Sequence, residues 1–108
     1  MVFQKNNGQY SSYAGYYLCA KKLWKVMAPH CDDPVMLQAK LNESEFYLSL
    51  SSAIQKYFAK TLQVAYHDGS IDFSFADAYG NILHFVDLSD GEQSLMVMLM
   101  AIYGYDLK

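Results

Sequence analysis

Residues 62–86, LQVAYHDGSIDFSFADAYGNILHFV, contain the pattern that decides the fold. Apolar side chains recur at every second position in two runs: Leu62, Val64 and Tyr66, then Ile71, Phe73 and Phe75. A period of two is typical of strands that bury one face. The dipeptide Asp68-Gly69 lies between the runs and favours a two-residue hairpin turn, because glycine tolerates the positive φ that such turns require. This stretch therefore predicts an antiparallel β-hairpin.

A looser turn extends the hairpin into a meander. The sequence DAYGN, residues 77–81, is rich in turn-forming residue types and precedes a third predicted strand at Ile82–Val86. The apolar stretch after it has the length and composition of a helix. The predicted fold is α+β, with two N-terminal helices, a three-stranded antiparallel meander and one apolar C-terminal helix.

The two N-terminal helices are predicted from apolar residues at three- and four-residue steps. The first begins near Ser11 or Ser12 and ends near Met27. The second runs from about Asn42, a residue type suited to an N-cap, to Lys60. Between them the sequence PHCDDP has a proline at each end, which predicts a break in the helix and a turn.

Composition indicates a single domain over residues 1–108. The chain is 53% hydrophobic and 16% aromatic, which excludes a disordered acidic or polar tail. The net charge is -3 and the basic residues are scattered, so the electrostatic footprint of a nucleic-acid-binding protein is absent and any role with DNA is expected to be indirect. The polar residues 1–12 predict a flexible arm.

The sequence carries no leader or membrane-spanning pattern. A cytoplasmic protein with reduced Cys19 and Cys31 is therefore expected. The longest apolar run, Leu95–Tyr103, is much shorter than the roughly 20 residues of a membrane span, so no membrane partner is expected. The metal-binding residue types at 30–33 are consecutive and do not match spaced zinc ligands, so no metal site is predicted.

The sequence LSDGEQ at residues 88–93 has the pattern of a helix N-terminus and predicts the start of the C-terminal helix. Ser89 and Glu92 have the spacing of a capping box, in which each side chain binds the other residue's backbone N–H. Gly91 is not explained by a cap, because glycine costs about 0.5–1 kcal/mol relative to alanine in a helix. A glycine there suggests a close approach to the backbone, and a helix N-terminus favours anions. The nearby Asp87, Asp90 and Glu92 oppose anion binding unless a cation compensates them.

The same hexapeptide resembles the ABC-type signature motif, especially in SMC-like and RecF-like ATPases and the related ATPases of phage-defence systems. The resemblance covers roughly the second half of the chain, where a helix, an antiparallel sheet and a hairpin lead into the signature helix, and residues 62–103 form the lobe-like segment. It implies that Ser89 and Gly91 contact the γ-phosphate of ATP held by another subunit. It further implies that Asp90, Glu92 and Gln93 lie beside that contact.

The family's catalytic motifs are missing from this sequence. No G-x-x-x-x-G-K-[ST] phosphate-binding loop occurs, and the apolar strand ending in two acids is absent too. The chain is therefore not expected to be an ATPase by itself, and no catalytic residue is assigned. ATP with Mg²⁺ is expected only in a site that a partner chain completes.

The C-terminal helix is apolar on all sides, which predicts that another surface covers it. The predicted interface residues are Leu95, Met96, Met98, Leu99, Met100, Ile102 and Tyr103. The expected partner is an ATPase subunit or a second copy of this chain.

Three interpretations remain open at this stage. The chain is a non-catalytic signature-bearing lobe that works within a DNA-repair or phage-defence ATPase. Alternatively, it is a small α+β interaction or inhibitor module of phage or mobile-element origin that homodimerises through its apolar C-terminal helix. As a third possibility, the residues are an excerpt of a longer ATPase, in which case an apolar strand ending in Asp-Glu follows.

Overall fold

The computed structural model describes the backbone of residues 7–106 and the side chains of residues 14–106. The α-helices are α1 (Asn7–Met27), α2 (Pro34–Glu43), α3 (Glu45–Phe58) and α4 (Asp90–Gly104), and the strands are β1 (Thr61–His67), β2 (Ser70–Ala76) and β3 (Ile82–Leu83). Short 3-10 turns lie at Ala28–His30 and Phe85–Asp87. The strands form one antiparallel sheet in the order β1-β2-β3. The predicted α+β class and meander are confirmed.

The described residues include one more helix before the sheet than the sequence predicted. Helix α2 follows the turn at residues 29–33, and Asp33 caps it by accepting a hydrogen bond from the Met36 N–H at 3.1 Å. Pro34 occupies the first helical turn, where its missing N–H costs nothing. The second proline of the predicted break therefore begins a new helix, whereas α1 ends at Met27 and a 3-10 turn follows it.

The boundaries of the neighbouring helices also differ from the prediction. Helix α3 is capped by Ser44, whose Oγ accepts from the Tyr47 N–H at 3.2 Å. Asn42 is not the cap, because it lies in the last turn of α2 and accepts from Gln38 Nε2 at 3.1 Å. Helix α1 begins at Asn7, earlier than predicted, and residues 1–6 of the predicted arm lie outside the described residues.

The hairpin has the predicted turn, and the third strand is shorter than predicted. Asp68 and Gly69 have φ values of 50° and 79°, the positive pair of a type I′ turn. The prediction of a strand as far as Val86 is wrong, because pairing ends at Leu83. The His84 N–H donates to Asp87 Oδ2 at 2.8 Å, which closes a 3-10 turn in place of a strand.

The core lies between α1, α4, α3 and the inner face of the sheet. Its most buried members are Cys19, Leu23, Leu41, Leu50, Ile54, Leu62, Phe75, Met96 and Met100, of which Leu41 comes from α2. Helices α1 and α4 approach closely at Gly15, where an added Cβ would lie 2.6 Å from Ala101 Cα. Among residues 7–106, no helix combines the length and apolar character that a membrane span requires.

Candidate functional site

The N-terminus of α4 carries the LSDGEQ segment. The Ser89 Oγ accepts a hydrogen bond from the Glu92 N–H at 3.2 Å. The Ser89 N–H donates to Glu92 Oε1 at 3.2 Å, and the Ser89 hydroxyl donates to the same oxygen at 3.2 Å. The predicted capping box is confirmed. These bonds hold the first turn of α4 in a fixed geometry.

Lys60 adds a cation that the sequence analysis missed. Its Nζ lies 2.8 Å from Glu92 Oε2, and its side chain is only 13% exposed. This ion pair connects the start of the sheet to α4. The hydrogen bonds from Lys60 and from the Ser89 N–H lower the pKa of the Glu92 carboxyl. No spacing rule could have revealed the contact, because 32 positions separate the two residues.

Gly91 faces open space. No atom of the described chain lies within 4 Å of the position that a Cβ would occupy, and the residue is exposed. The close approach that the sequence suggested is therefore absent within the described chain. The backbone N–H groups of Asp90 and Gly91 also have no acceptor among the described residues. The first turn of α4 thus presents two free donors at an accessible surface.

Gln93 has a structural role at this site. Its Nε2 donates to the Leu88 carbonyl at 3.1 Å and to the Val86 carbonyl at 3.3 Å. Leu88 is buried, so these bonds anchor the connection between the 3-10 turn and α4. Gln93 therefore positions the segment that carries Ser89.

The charges around this helix end are mainly negative. Asp87 and Asp90 are exposed, and Glu92 is neutralised by Lys60. The Asp87 carboxylate already accepts the His84 N–H. An anion bound here would meet repulsion from the two remaining carboxylates, so a bound phosphate requires cations from another molecule.

Helix α4 divides the predicted interface residues into two groups. Met96 and Met100 are fully buried in the chain's own core, so the prediction that they lie at an interface is wrong. They face inward because α1 covers that side of the helix. The side chains of Leu95 and Met98 are 55% and 59% exposed, and those of Leu99, Ile102 and Tyr103 are half-buried.

The exposed side of α4 borders a groove shared with α3. Its volume is about 400 Å³. The lining residues are Tyr57, Phe58, Leu95, Met98, Leu99, Ile102 and Tyr103. The lining is apolar and the groove is open to solvent. It includes the part of the predicted α4 interface that the described residues leave accessible.

A second groove lies between α1 and the tip of the hairpin. Its volume is about 460 Å³, and Tyr17, Lys21 and Trp24 form one wall. Trp24 Nε1 donates to the Gly69 carbonyl at 2.9 Å, which ties the hairpin turn to α1. The Tyr16 ring packs edge-on against Phe73 at 5.1 Å between centroids. Part of the aromatic face of α1 therefore packs on the sheet.

No family model, curated protein or solved structure matches this chain. The resemblance to SMC-like and RecF-like ATPases therefore depends on the LSDGEQ segment and its setting. In that setting α3 leads into the hairpin, and the sheet leads into α4.

Proposed function

We propose that this chain is a non-catalytic, signature-bearing lobe of an SMC- or RecF-like ATPase assembly. Ser89 and Gly91 would contact nucleotide held by another chain, in an assembly for DNA repair or phage defence. The supporting observation is the accessible first turn of α4, where no described residue binds the Asp90 and Gly91 N–H groups or lies in front of Gly91.

The chain's own residues have defined tasks in this proposal. The free N–H groups of Asp90 and Gly91 donate to a phosphate oxygen. The Ser89 hydroxyl turns from Glu92 Oε1 to the same phosphate, while its Oγ continues to accept the Glu92 N–H. Lys60 keeps Glu92 neutralised during this change. ATP with Mg²⁺ would be held by the partner chain, and cationic groups of that chain would offset the repulsion from Asp87 and Asp90.

A second candidate function is supported by the groove between α3 and α4. Leu95 and Met98 expose apolar surface on one side of α4 and, together with Tyr57, line the groove. Such a surface suits a small interaction or inhibitor module, of phage or mobile-element origin, that homodimerises through α4. This function requires neither nucleotide nor an accessible Gly91.

Light scattering distinguishes the two functions. The purified chain is measured alone and with a candidate SMC- or RecF-like ATPase, with and without ATP and Mg²⁺. The first proposal expects association that ATP strengthens, that Ser89→Ala weakens and that Gly91→Trp abolishes. Gln38→Trp is the control, because it places the same indole side chain at an exposed position on α2. A nucleotide-independent homodimer that Leu95→Ser disrupts would instead support the interaction module.

A further inference from the structure

Strand β1 is an edge strand with an unpaired outer side. It pairs with β2 from Thr61↔Ala76 to His67↔Ser70 and has no strand on its other side among residues 7–106. Neither the backbone of residues 7–106 nor the described side chains, those of residues 14–106, bind the outward backbone groups of β1. The opposite edge of the sheet, β3, has only two residues. The long free edge of this sheet is therefore β1.

The hairpin register shows which groups the free edge presents. In a two-residue type I′ hairpin the residues flanking the turn, His67 and Ser70, exchange hydrogen bonds. Alternate residues of β1 then face β2, and those between them face outward. The outward N–H and C=O groups belong to Leu62, Val64 and Tyr66. Each of these residues offers one donor and one acceptor.

Strand β1 lacks the features that usually protect an edge. Its sequence TLQVAYH contains no Lys, Arg, Asp, Glu or Pro, and its pairing with β2 continues without a bulge. The Val64 and Tyr66 side chains are only half-buried. The edge therefore combines unused hydrogen-bonding groups with partly uncovered apolar side chains, the two features that promote strand addition.

We propose that β1 is a self-association surface, where two copies of this chain pair antiparallel across a two-fold axis at Val64. The two sheets then join into one continuous sheet. This surface is separate from the first turn of α4 and from the α3–α4 groove, so the proposal goes beyond the function proposed above and does not depend on it.

A second copy fits this edge in one register. With Val64 opposite Val64, Leu62 of each copy lies opposite Tyr66 of the other, and every outward N–H and C=O finds a partner. A shift by two residues leaves some of these groups unpaired, and a shift by one residue exchanges the two faces of the strand. The half-buried Val64 and Tyr66 side chains then cover one another.

The charges at the ends of β1 favour the same register. Lys60 precedes the strand and Asp68 follows it. In the two-fold arrangement Lys60 of one copy approaches Asp68 of the other, while also binding Glu92 of its own chain. No like charges meet along the strand itself. Charge complementarity therefore supports a second copy as the occupant.

Two measurements on the full chain test the proposal, each made from micromolar to millimolar protein concentration. Sedimentation gives the mass, and hydrogen exchange gives the protection of individual backbone amides. We expect the mass to rise to that of a dimer. Exchange of the Leu62, Val64 and Tyr66 amides should slow about tenfold when about nine-tenths of the chain is dimeric. The Gln63 and Ala65 amides face β2 and should be protected at every concentration. A monomer throughout, or a dimer whose outward amides stay unprotected, would overturn the proposal.

Two substitutions sharpen the test. Val64→Lys places two ammonium groups opposite each other across the axis and should abolish the dimer. Ile82→Lys is the matched control on the opposite edge, and it should leave the dimer intact. Asp68→Asn keeps the turn preference and removes one charge, so the dimer should weaken about twofold to fivefold. Equal dimerisation by Val64→Lys and Ile82→Lys, both folded by circular dichroism, would refute the proposal.

Discussion

The ion pair between Lys60 and Glu92 should stabilise the fold more than a pair on the open surface. The Nζ–Oε2 distance is 2.8 Å, and the two side chains are 13% and 33% exposed. Exposed pairs contribute about 0–1 kcal/mol, whereas hydrogen bonds to charged groups contribute about 1.5–3 kcal/mol. Intermediate burial places this pair between those limits. Lys60→Met should therefore lower the free energy of unfolding by about 1–2 kcal/mol near neutral pH.

The size of this effect should depend on pH through Glu92. The hydrogen bond from Lys60 is the main reason that the pKa of Glu92 is lower in the folded chain than in the unfolded chain. A lowered pKa stabilises the fold fully above the unfolded value of about 4.3, and the contribution is lost as the pH falls through the folded value. The stability difference between the wild type and Lys60→Met should therefore shrink in acid.

Urea unfolding at neutral and acidic pH, followed by circular dichroism, measures both quantities. Lys40→Met is the matched control, because Lys40 Nζ lies 3.7 Å from Glu43 Oε1 and both side chains are exposed. That control should change the free energy of unfolding by less than about 0.5 kcal/mol. Equal losses for Lys60→Met and Lys40→Met would refute the reasoning. A Lys60→Met loss that is unchanged in acid would also refute it.

Three further predictions concern residues whose surroundings differ sharply. Gly91→Ala should raise the free energy of unfolding by about 0.5–1 kcal/mol in urea titration, because the helix gains alanine and the new Cβ meets no atom. Gly15→Ala should lower the melting temperature, with a loss of about 1–3 kcal/mol, because its Cβ would meet the Ala101 backbone at 2.6 Å. Burial raises the pKa of the Cys19 thiol to about 12, whereas Cys31 is exposed. Iodoacetamide near neutral pH should therefore alkylate only Cys31 in the folded chain and both cysteines in the unfolded chain, as measured by mass spectrometry.

The local elements of this protein followed from its sequence. The alternating run around Asp68-Gly69 encodes a hairpin, since both the strand period and the type I′ turn depend on adjacent residues. The Ser89–Glu92 capping box is equally local, because its partners are three positions apart. Where local signals competed, the prediction was less accurate. Pro34 closes the stretch that predicts a turn and also suits the first turn of a helix, and α2 was missed for that reason.

The third strand shows how a short-range hydrogen bond can override a strand pattern. The alternation of apolar residues at 82–86 favoured a strand, yet the bond from the His84 N–H to Asp87 ends the pairing at Leu83. Both residues were visible in the sequence. Their pairing was not, because this sequence also permits an extended conformation at residues 85–87, which form the 3-10 turn in the structure.

By itself, the sequence determined the α+β class, the hairpin and its turn, and the cap of α4, because each depends on residues within a few positions of one another. Tertiary structure alone decided that Lys60 reaches Glu92 and that Met96 and Met100 enter the core while Leu95 and Met98 remain exposed. It also decided that β1 has no second neighbouring strand among residues 7–106. The sequence of a helix that is apolar on every side does not specify which side its neighbours cover. The sequence of a strand does not specify its position in the sheet. Packing between segments distant in the chain settles both.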